Sequence, residues 1–165
     1  MALAAAAACQ TSSSAPPPPA AVVAGSGDAA FRTLAASILD DRFRRHPSIA
    51  TDLGVHRYDA MMDDASQAAI TAETDALNAF AARLIGVNTA ALSLDAQLDR
   101  EQLIRAMDAG ILANSVIRQW AKDPDFYSAG VTNAAYVIMR RKFAPPADRL
   151  RSLIEREKKM PAFLD

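Results

Sequence analysis

Apolar residues recur at steps of three and four along most of this chain, a spacing that places them on one face of a helix. Residues 29–45 and 66–86 each carry one such stripe, and residues 94–121 carry apolar positions on two faces. Two further segments, 128–142 and the one after Pro145, continue the pattern until Pro161 interrupts it. Because no segment alternates with a period of two, the sequence predicts an all-α fold of about five helices in an irregular bundle.

Residues that cap or break helices mark several of the predicted boundaries. Side chains suited to N-capping precede the first three helices: Asp28, Asp64 or Ser66, and Ser93. His46 precedes Pro47, which disfavours helical backbone at the histidine, so we expect the first helix to end there. The helical period fails over residues 47–65, which predicts an ordered connecting loop that can include a short turn of helix.

Residues 1–27 contain no charged side chain and are not expected to belong to the fold. An alanine-rich run, 2–8, precedes Cys9, and a Ser/Pro-rich stretch, 10–27, follows it with the composition of a disordered linker. This arrangement is typical of a truncated bacterial lipoprotein signal, in which Cys9 would be the lipid attachment site. Ordinary export with cleavage and an incidental alanine-rich start remain alternatives, because the basic region of a signal is absent.

Charge and motif content exclude several classes of function for the chain. The net charge of −1 argues against nucleic-acid binding, although the segment from Arg140 to Asp165 is basic. Cys9 is the one cysteine, and the sequence contains two histidines and no His-Glu-x-x-His motif. Glycine-rich phosphate loops and Gly-x-Ser-x-Gly turns are also absent. We therefore predict no catalytic residue, no metal ligand and no cofactor site in this chain.

The best candidate for a functional segment is the loop His56-Arg57-Tyr58-Asp59, which concentrates polar and aromatic groups where the helical pattern fails. His56, Tyr58 and Asp59 either contact a substrate channel or brace the loop by hydrogen bonds to turn amides. Three aromatic residues near the end of the predicted helix over residues 94–121 could stack on a ligand, although core packing is favoured for them. They are Trp120, Phe126 and Tyr127.

Four sequence motifs, in order along the chain, resemble those of the bacterial family called domain of unknown function 885. The first runs from Pro47 to Asp59 and continues with Asp63-Asp64-x-Ser66, and the second ends at Asp99-Arg100. The others are Trp120-x-x-Asp123-Pro124-x-x-Tyr127 and Arg141-x-Phe143-Ala144-Pro145-Pro146-x-x-Arg149-Leu150. The resemblance covers about residues 29–165.

The resemblance implies helical zinc peptidases that are often exported, are sometimes lipoproteins, and carry a His-Glu-x-x-His motif well downstream of this region. Residues 28–165 are then the N-terminal helical part of a larger domain, a scaffold or lid over a substrate channel, with zinc held elsewhere. Implied partners are the missing C-terminal part of the same protein and a peptide substrate, with membrane contact only through a lipid anchor. The location implied is the periplasm or the membrane surface.

Two alternatives belong to other classes of protein. The chain could be a complete, lipid-tethered helical binding module of the cell envelope with no catalytic activity. It could also be an envelope protein that contacts a partner through its basic last helix.

Overall fold

The computed structural model describes residues 23–164, which contain helices and no strand, so the predicted all-α class is confirmed. Within that range seven α-helices are formed rather than about five. They are α1 (Asp28–Arg45), α2 (Pro47–Asp52), α3 (Gln67–Ile85), α4 (Leu94–Leu112), α5 (Asp125–Arg140), α6 (Pro146–Glu157) and α7 (Met160–Leu164). The predicted lipid attachment at Cys9, and residues 1–22 as a whole, lie outside the described residues.

The two additional helices are short, and each has a proline in its first turn. Pro47 is the first residue of α2 and Pro161 the second residue of α7. Proline suits these positions, because the N–H groups of the first turn have no partner within a helix. The prolines that the sequence pattern presented as breaks therefore begin new helices. The expected loop over residues 47–65 is wrong over Pro47–Asp52, which form α2, and correct after Leu53, where a 3₁₀ turn at His56–Tyr58 agrees with the short helical turn that the prediction allowed.

The helix predicted over residues 94–121 is interrupted. Regular α4 ends at Leu112 and widens into a π-helix over Ala113–Ile117. Arg118 then adopts left-handed backbone with φ 54°, and a 3₁₀ turn spans Gln119–Ala121. No glycine or proline marks this break. Instead, side chains donate hydrogen bonds to backbone carbonyl groups of this segment. Trp120 Nε1 donates to the backbone carbonyl of Asn114 at 3.1 Å, and Lys122 Nζ donates to the backbone carbonyl of Ile117 at 2.8 Å.

The larger hydrophobic core lies among α1, α3 and α4 and is centred on Phe31, Ile38, Leu84 and Met107. The predicted caps Ser66 and Ser93 are confirmed, since each hydroxyl oxygen accepts from the backbone N–H three residues later.

The predicted capping role of Asp28 is wrong. Gly27 occupies the N-cap position of α1, and Asp28 lies in the first turn of that helix. Its carboxylate accepts hydrogen bonds from Ser93 N at 2.9 Å and Ser93 Oγ at 2.7 Å. Asp28 therefore ties the start of α1 to the start of α4.

A smaller core packs α5 and α7 onto the connecting segment before α3, through Met62, Ala65, Ala134 and Phe163. Tyr127 packs against this second core, in agreement with the expectation of core packing. Among the described residues, none of the helices combines the length and hydropathy that a membrane span needs.

Candidate functional site

A cavity of about 380 Å³ opens where the ends of several helices meet. Its walls come from His46 at the end of α1, from α3, from the π-helical segment, and from α5 and α7. This volume lies within the ~300–1,000 Å³ range of sites that bind small ligands. The cavity is therefore the best candidate for a functional site in the described part of the chain.

The polar centre of the cavity is Glu73, whose two carboxylate oxygens are each held by a side chain. His46 Nε2 lies 2.6 Å from Oε1, and Asn114 Nδ2 donates to Oε2 at 3.2 Å. Burial disfavours the charged form of Glu73, but the hydrogen bonds and positive charge from His46, with Asn114 and Arg45, lower the pKa overall. Because an ionised carboxylate only accepts hydrogen bonds, His46 Nε2 is the donor. Glu73 is thus a fixed anion in the cavity wall.

The π-helical turn places Asn114 against Glu73. Such wide turns are frequent at functional sites, because they displace side chains from the regular α-helical positions. Residues beyond the turn stabilise it. Trp120 Nε1 donates to the backbone carbonyl of Asn114 at 3.1 Å, and Tyr127 Oη donates to the backbone carbonyl of Trp120 at 2.8 Å. The Arg118 guanidinium lies 5.0 Å from the centre of the Trp120 ring, within cation–π range.

Trp120 also borders grooves that adjoin the cavity. A groove of about 360 Å³ shares Ile70, Asn114 and Trp120 with it, and a groove of about 300 Å³ shares Ala65, Trp120 and Phe163. The half-buried Trp120 ring therefore borders the cavity and both grooves, and we call these adjoining spaces the depression around Trp120. Trp120 belongs to neither hydrophobic core, contrary to the expectation of core packing. Adjoining spaces of this kind can take a ligand that extends beyond the cavity.

The predicted loop residues lie elsewhere: His56 and Asp59 contact each other, whereas Tyr58 contacts Asp40. His56 Nδ1 lies 3.1 Å from Asp59 Oδ2, and the His56 ring stacks on Phe143 with centroids 3.7 Å apart. Tyr58 Oη donates to Asp40 Oδ1 at 2.9 Å, and the buried Asp59 carboxylate accepts from Thr51 Oγ1 at 2.6 Å. None of the three predicted residues borders the cavity.

Asp59 belongs to a buried network that reaches α6. Arg156 is fully buried and donates to the Ala134 carbonyl at 2.9 Å and to Thr51 Oγ1 at 3.0 Å. Burial lowers the pKa of Arg156 below its usual value, and the nearby Asp63 and Asp59 carboxylates offset part of that shift. The Thr51 hydroxyl therefore accepts from a cation and donates to an anion, which connects two buried charges through one neutral group.

The sequence interpretation did not single out Glu73, Asn114 or Arg156. One signal was present: Glu73 lies between Ile70 and Leu77 at helical spacing, which puts a charge on the apolar stripe of α3. Its partner His46 is 27 residues away. Nothing local indicates that pairing, because it depends on how α1 and α3 pack.

Neither the cavity nor the loop around His56 offers enough ligands for a zinc ion. Among residues 23–164 no group of three or more His, Cys, Asp or Glu side chains is arranged to hold a metal ion. The pairs His46–Glu73 and His56–Asp59 each offer two ligands, whereas a catalytic zinc takes about three from the protein. The described residues do not fit a zinc ion, and we assign no reaction step to one.

The fold and the cavity define an all-helical protein with a ligand-sized cavity around a fixed carboxylate. The sequence profile of the family described as "Bacterial protein of unknown function (DUF885)" matches residues 47–165, and the chain belongs to this family. No curated protein and no solved structure matches the chain.

Proposed function

We propose that residues 28–165 form a ligand-binding wall or lid beside the substrate channel of an exported zinc-dependent peptidase. In this proposal the chain recognises a peptide and supplies neither catalytic residues nor zinc ligands. The observation that carries it is the cavity, in which His46 and Asn114 hold the Glu73 carboxylate in one orientation beside Trp120. A pre-oriented anion next to an aromatic ring favours binding, because little side-chain freedom is lost when a ligand arrives.

Exposed apolar side chains support a scaffold role within a larger protein. Leu94 and Leu98 are 69% and 54% exposed one turn apart on α4, and Leu150 and Ile154 on α6 are 56% and 43% exposed. Residues four apart lie on the same helix face, so each pair forms an apolar stripe that faces solvent. Such stripes fit against further helices better than against water.

The peptidase assignment rests on the sequence resemblance, in which zinc and the reaction belong to residues outside this chain. Export follows from the same resemblance together with the alanine-rich run before Cys9. We propose a periplasmic location, or attachment to the membrane surface by lipid on Cys9.

The proposal is tested by comparing the protein purified from its own cells with the 165-residue chain produced alone. We expect the native product to be longer, to contain about one zinc per molecule by plasma mass spectrometry, and to hydrolyse peptides. The chain alone should lack both zinc and activity. Stoichiometric zinc on the 165-residue chain would contradict the proposal, as would a native product of 165 residues or fewer.

A second candidate is a helical binding module of the cell envelope without catalytic activity. It is favoured by the cavity, whose volume of about 380 Å³ suits a ligand and whose walls include residues from His46 to Phe163 of this chain. This candidate predicts that the 165-residue chain is monomeric and melts cooperatively. The scaffold proposal predicts self-association through the exposed stripes, so size-exclusion chromatography and a thermal melt separate the two.

A further inference from the structure

The side chains around the cavity are strongly unbalanced in charge. Asp63, Asp64 and Glu73 contribute three carboxyl groups, and no lysine or arginine borders the cavity. His46 is the basic group that borders the cavity and is already bonded to Glu73, and Arg45, which does not border it, also acts on Glu73 by its charge. These carboxyl groups would repel an anionic ligand and attract a cation.

The carboxylates keep capacity for further hydrogen bonds. Glu73 accepts one bond on each oxygen, although a carboxylate has about four acceptor sites. Asp64 is exposed and is oriented by the Ser66 backbone N–H, which donates to its Oδ1 at 2.9 Å. Asp63 accepts from Ser48 N at 3.3 Å and lies close enough to Arg156 to raise the pKa of that residue, which offsets part of its charge. Glu73 and Asp64 are therefore the carboxylates most available to a ligand.

Aromatic rings complete the wall, since Trp120, Phe126 and Phe163 border the same space. Aromatic faces attract cations and also pack against aliphatic chains. The Arg118 guanidinium lies 5.0 Å from the centre of the Trp120 ring and already uses one face of it, so Trp120 offers a ligand mainly a surface for its apolar stem. The matching ligand therefore combines a positive charge with an apolar stem.

We propose that the cavity binds the side chain of a lysine or arginine in a peptide, while the adjoining grooves take the neighbouring residues. Lysine and arginine both carry a charged head on an aliphatic stem, which suits a space with carboxylates and aromatic rings in its walls. Asp64 and Glu73 are then the residues that determine specificity. This inference rests on the proposed function, that the depression around Trp120 binds peptide.

The test uses the fluorescence of Trp120, which is the single tryptophan of the sequence. The full chain is titrated with end-capped Gly-Ala-Lys-Ala-Gly, and with the same peptide carrying norleucine or glutamate in place of lysine. Norleucine keeps the stem and removes the charge. We expect the lysine peptide to bind roughly tenfold more tightly than the norleucine peptide, from two partly exposed carboxylates and an aromatic ring. Added salt should reduce that preference.

Two charge-removing variants locate the effect. Asp64→Asn keeps an oxygen that can accept from Ser66, so it removes charge with little change of structure. It should reduce the lysine preference roughly threefold, the contribution of one partly exposed ion pair. Asp108→Asn is the matched control, because Asp108 is exposed on α4 and does not border the cavity. It should leave the preference unchanged, and circular dichroism melts verify that both variants fold.

The outcomes separate this inference from the proposed function. Equal binding of the lysine and norleucine peptides would overturn the charge specificity and leave peptide binding intact. Equal effects of Asp64→Asn and Asp108→Asn would overturn the assignment of specificity to the cavity. If none of the three peptides changes the Trp120 fluorescence, both the inference and peptide binding at this site are wrong.

Discussion

Replacing Thr51 by valine tests the buried network that joins α2, the 3₁₀ turn and α6. Valine has nearly the same shape as threonine and cannot form hydrogen bonds. The substitution removes the acceptor of the Arg156 Nη2 bond at 3.0 Å and the donor of the Asp59 bond at 2.6 Å. Both partners are buried and both are charged, so neither can replace the lost bond with water.

The expected cost follows from those two bonds. A hydrogen bond to a charged group contributes about 1.5–3 kcal/mol, and a buried charge that loses its partner is destabilised further. His56 still contacts Asp59, and Arg156 retains its bond to the Ala134 carbonyl, so the loss is partial. We expect Thr51→Val to lower the free energy of unfolding by about 3–5 kcal/mol, a large share of the ~5–15 kcal/mol typical of a domain.

Urea denaturation followed by circular dichroism measures this difference. With a slope of about 2 kcal/mol/M, the midpoint should fall by roughly 2 M. Thr33→Val is the matched control. Thr51 Oγ1 lies 3.0 Å from the Pro47 carbonyl and Thr33 Oγ1 lies 3.0 Å from the Ala29 carbonyl, each four residues earlier in a helix, but Thr33 is exposed. Its effect should stay within about 0.5 kcal/mol. Thr51→Ser, which restores the hydroxyl, should recover most of the loss. If Thr51→Val is no more destabilising than Thr33→Val, the network does not stabilise the fold.

Two glycine substitutions should change the free energy of unfolding in opposite directions, and the effect of one aspartate substitution on that free energy should depend on pH. Gly110→Ala places a methyl group 2.8 Å from Leu77 Cδ1, so overpacking should outweigh the gain in helix propensity by about 1 kcal/mol. In Gly86→Ala the added methyl group would lie 3.5 Å from the nearest atom, so this variant should be more stable than wild type by about 0.5 kcal/mol. Thermal melts in which both variants shift the midpoint in the same direction would contradict these two predictions. Hydrogen bonds from the Ser93 backbone and hydroxyl hold the pKa of Asp28 below its usual value, so its charge stabilises the fold above about pH 4 and loses that effect as pH falls through the lowered pKa. Asp28→Asn should therefore be less stable than wild type at neutral pH, and the difference should shrink as pH falls through the lowered pKa of Asp28. A difference that is constant with pH would refute the reasoning.

The helices that the sequence predicted best are those whose caps and apolar stripe agree. α3 begins after Ser66 and α4 after Ser93, as expected, because a serine at the N-cap satisfies a backbone N–H that would otherwise lack a partner. Prediction failed where a tertiary contact replaced a local one. The π-helical turn is sustained by Trp120 bonding to Asn114, and no composition signal precedes it. Asp28 was expected to cap its own helix but bonds to a residue 65 positions away.

The candidate cavity could not be predicted from the sequence, because it also depends on tertiary contacts. His46, Glu73 and Asn114 come from three different elements, and only their packing brings them together. Glu73 showed one local sign, a charge on the apolar stripe of a helix, whereas Asn114 depends on a break that could not be predicted. The loop at His56 drew attention because it is polar and irregular, yet its side chains mainly bond within their own surroundings.

The bond between Arg156 and Thr51 joins residues 105 positions apart, which has a consequence for how the chain folds. Closing a loop of that size costs about 2 kcal/mol more entropy than closing one of a dozen residues, since each doubling of length adds about 0.6 kcal/mol. Helical proteins fold fast when their contacts are local. Here α6 can bury its arginine only after α2 and α5 have provided acceptors, so we expect docking of α6 to be a late, slow step in folding.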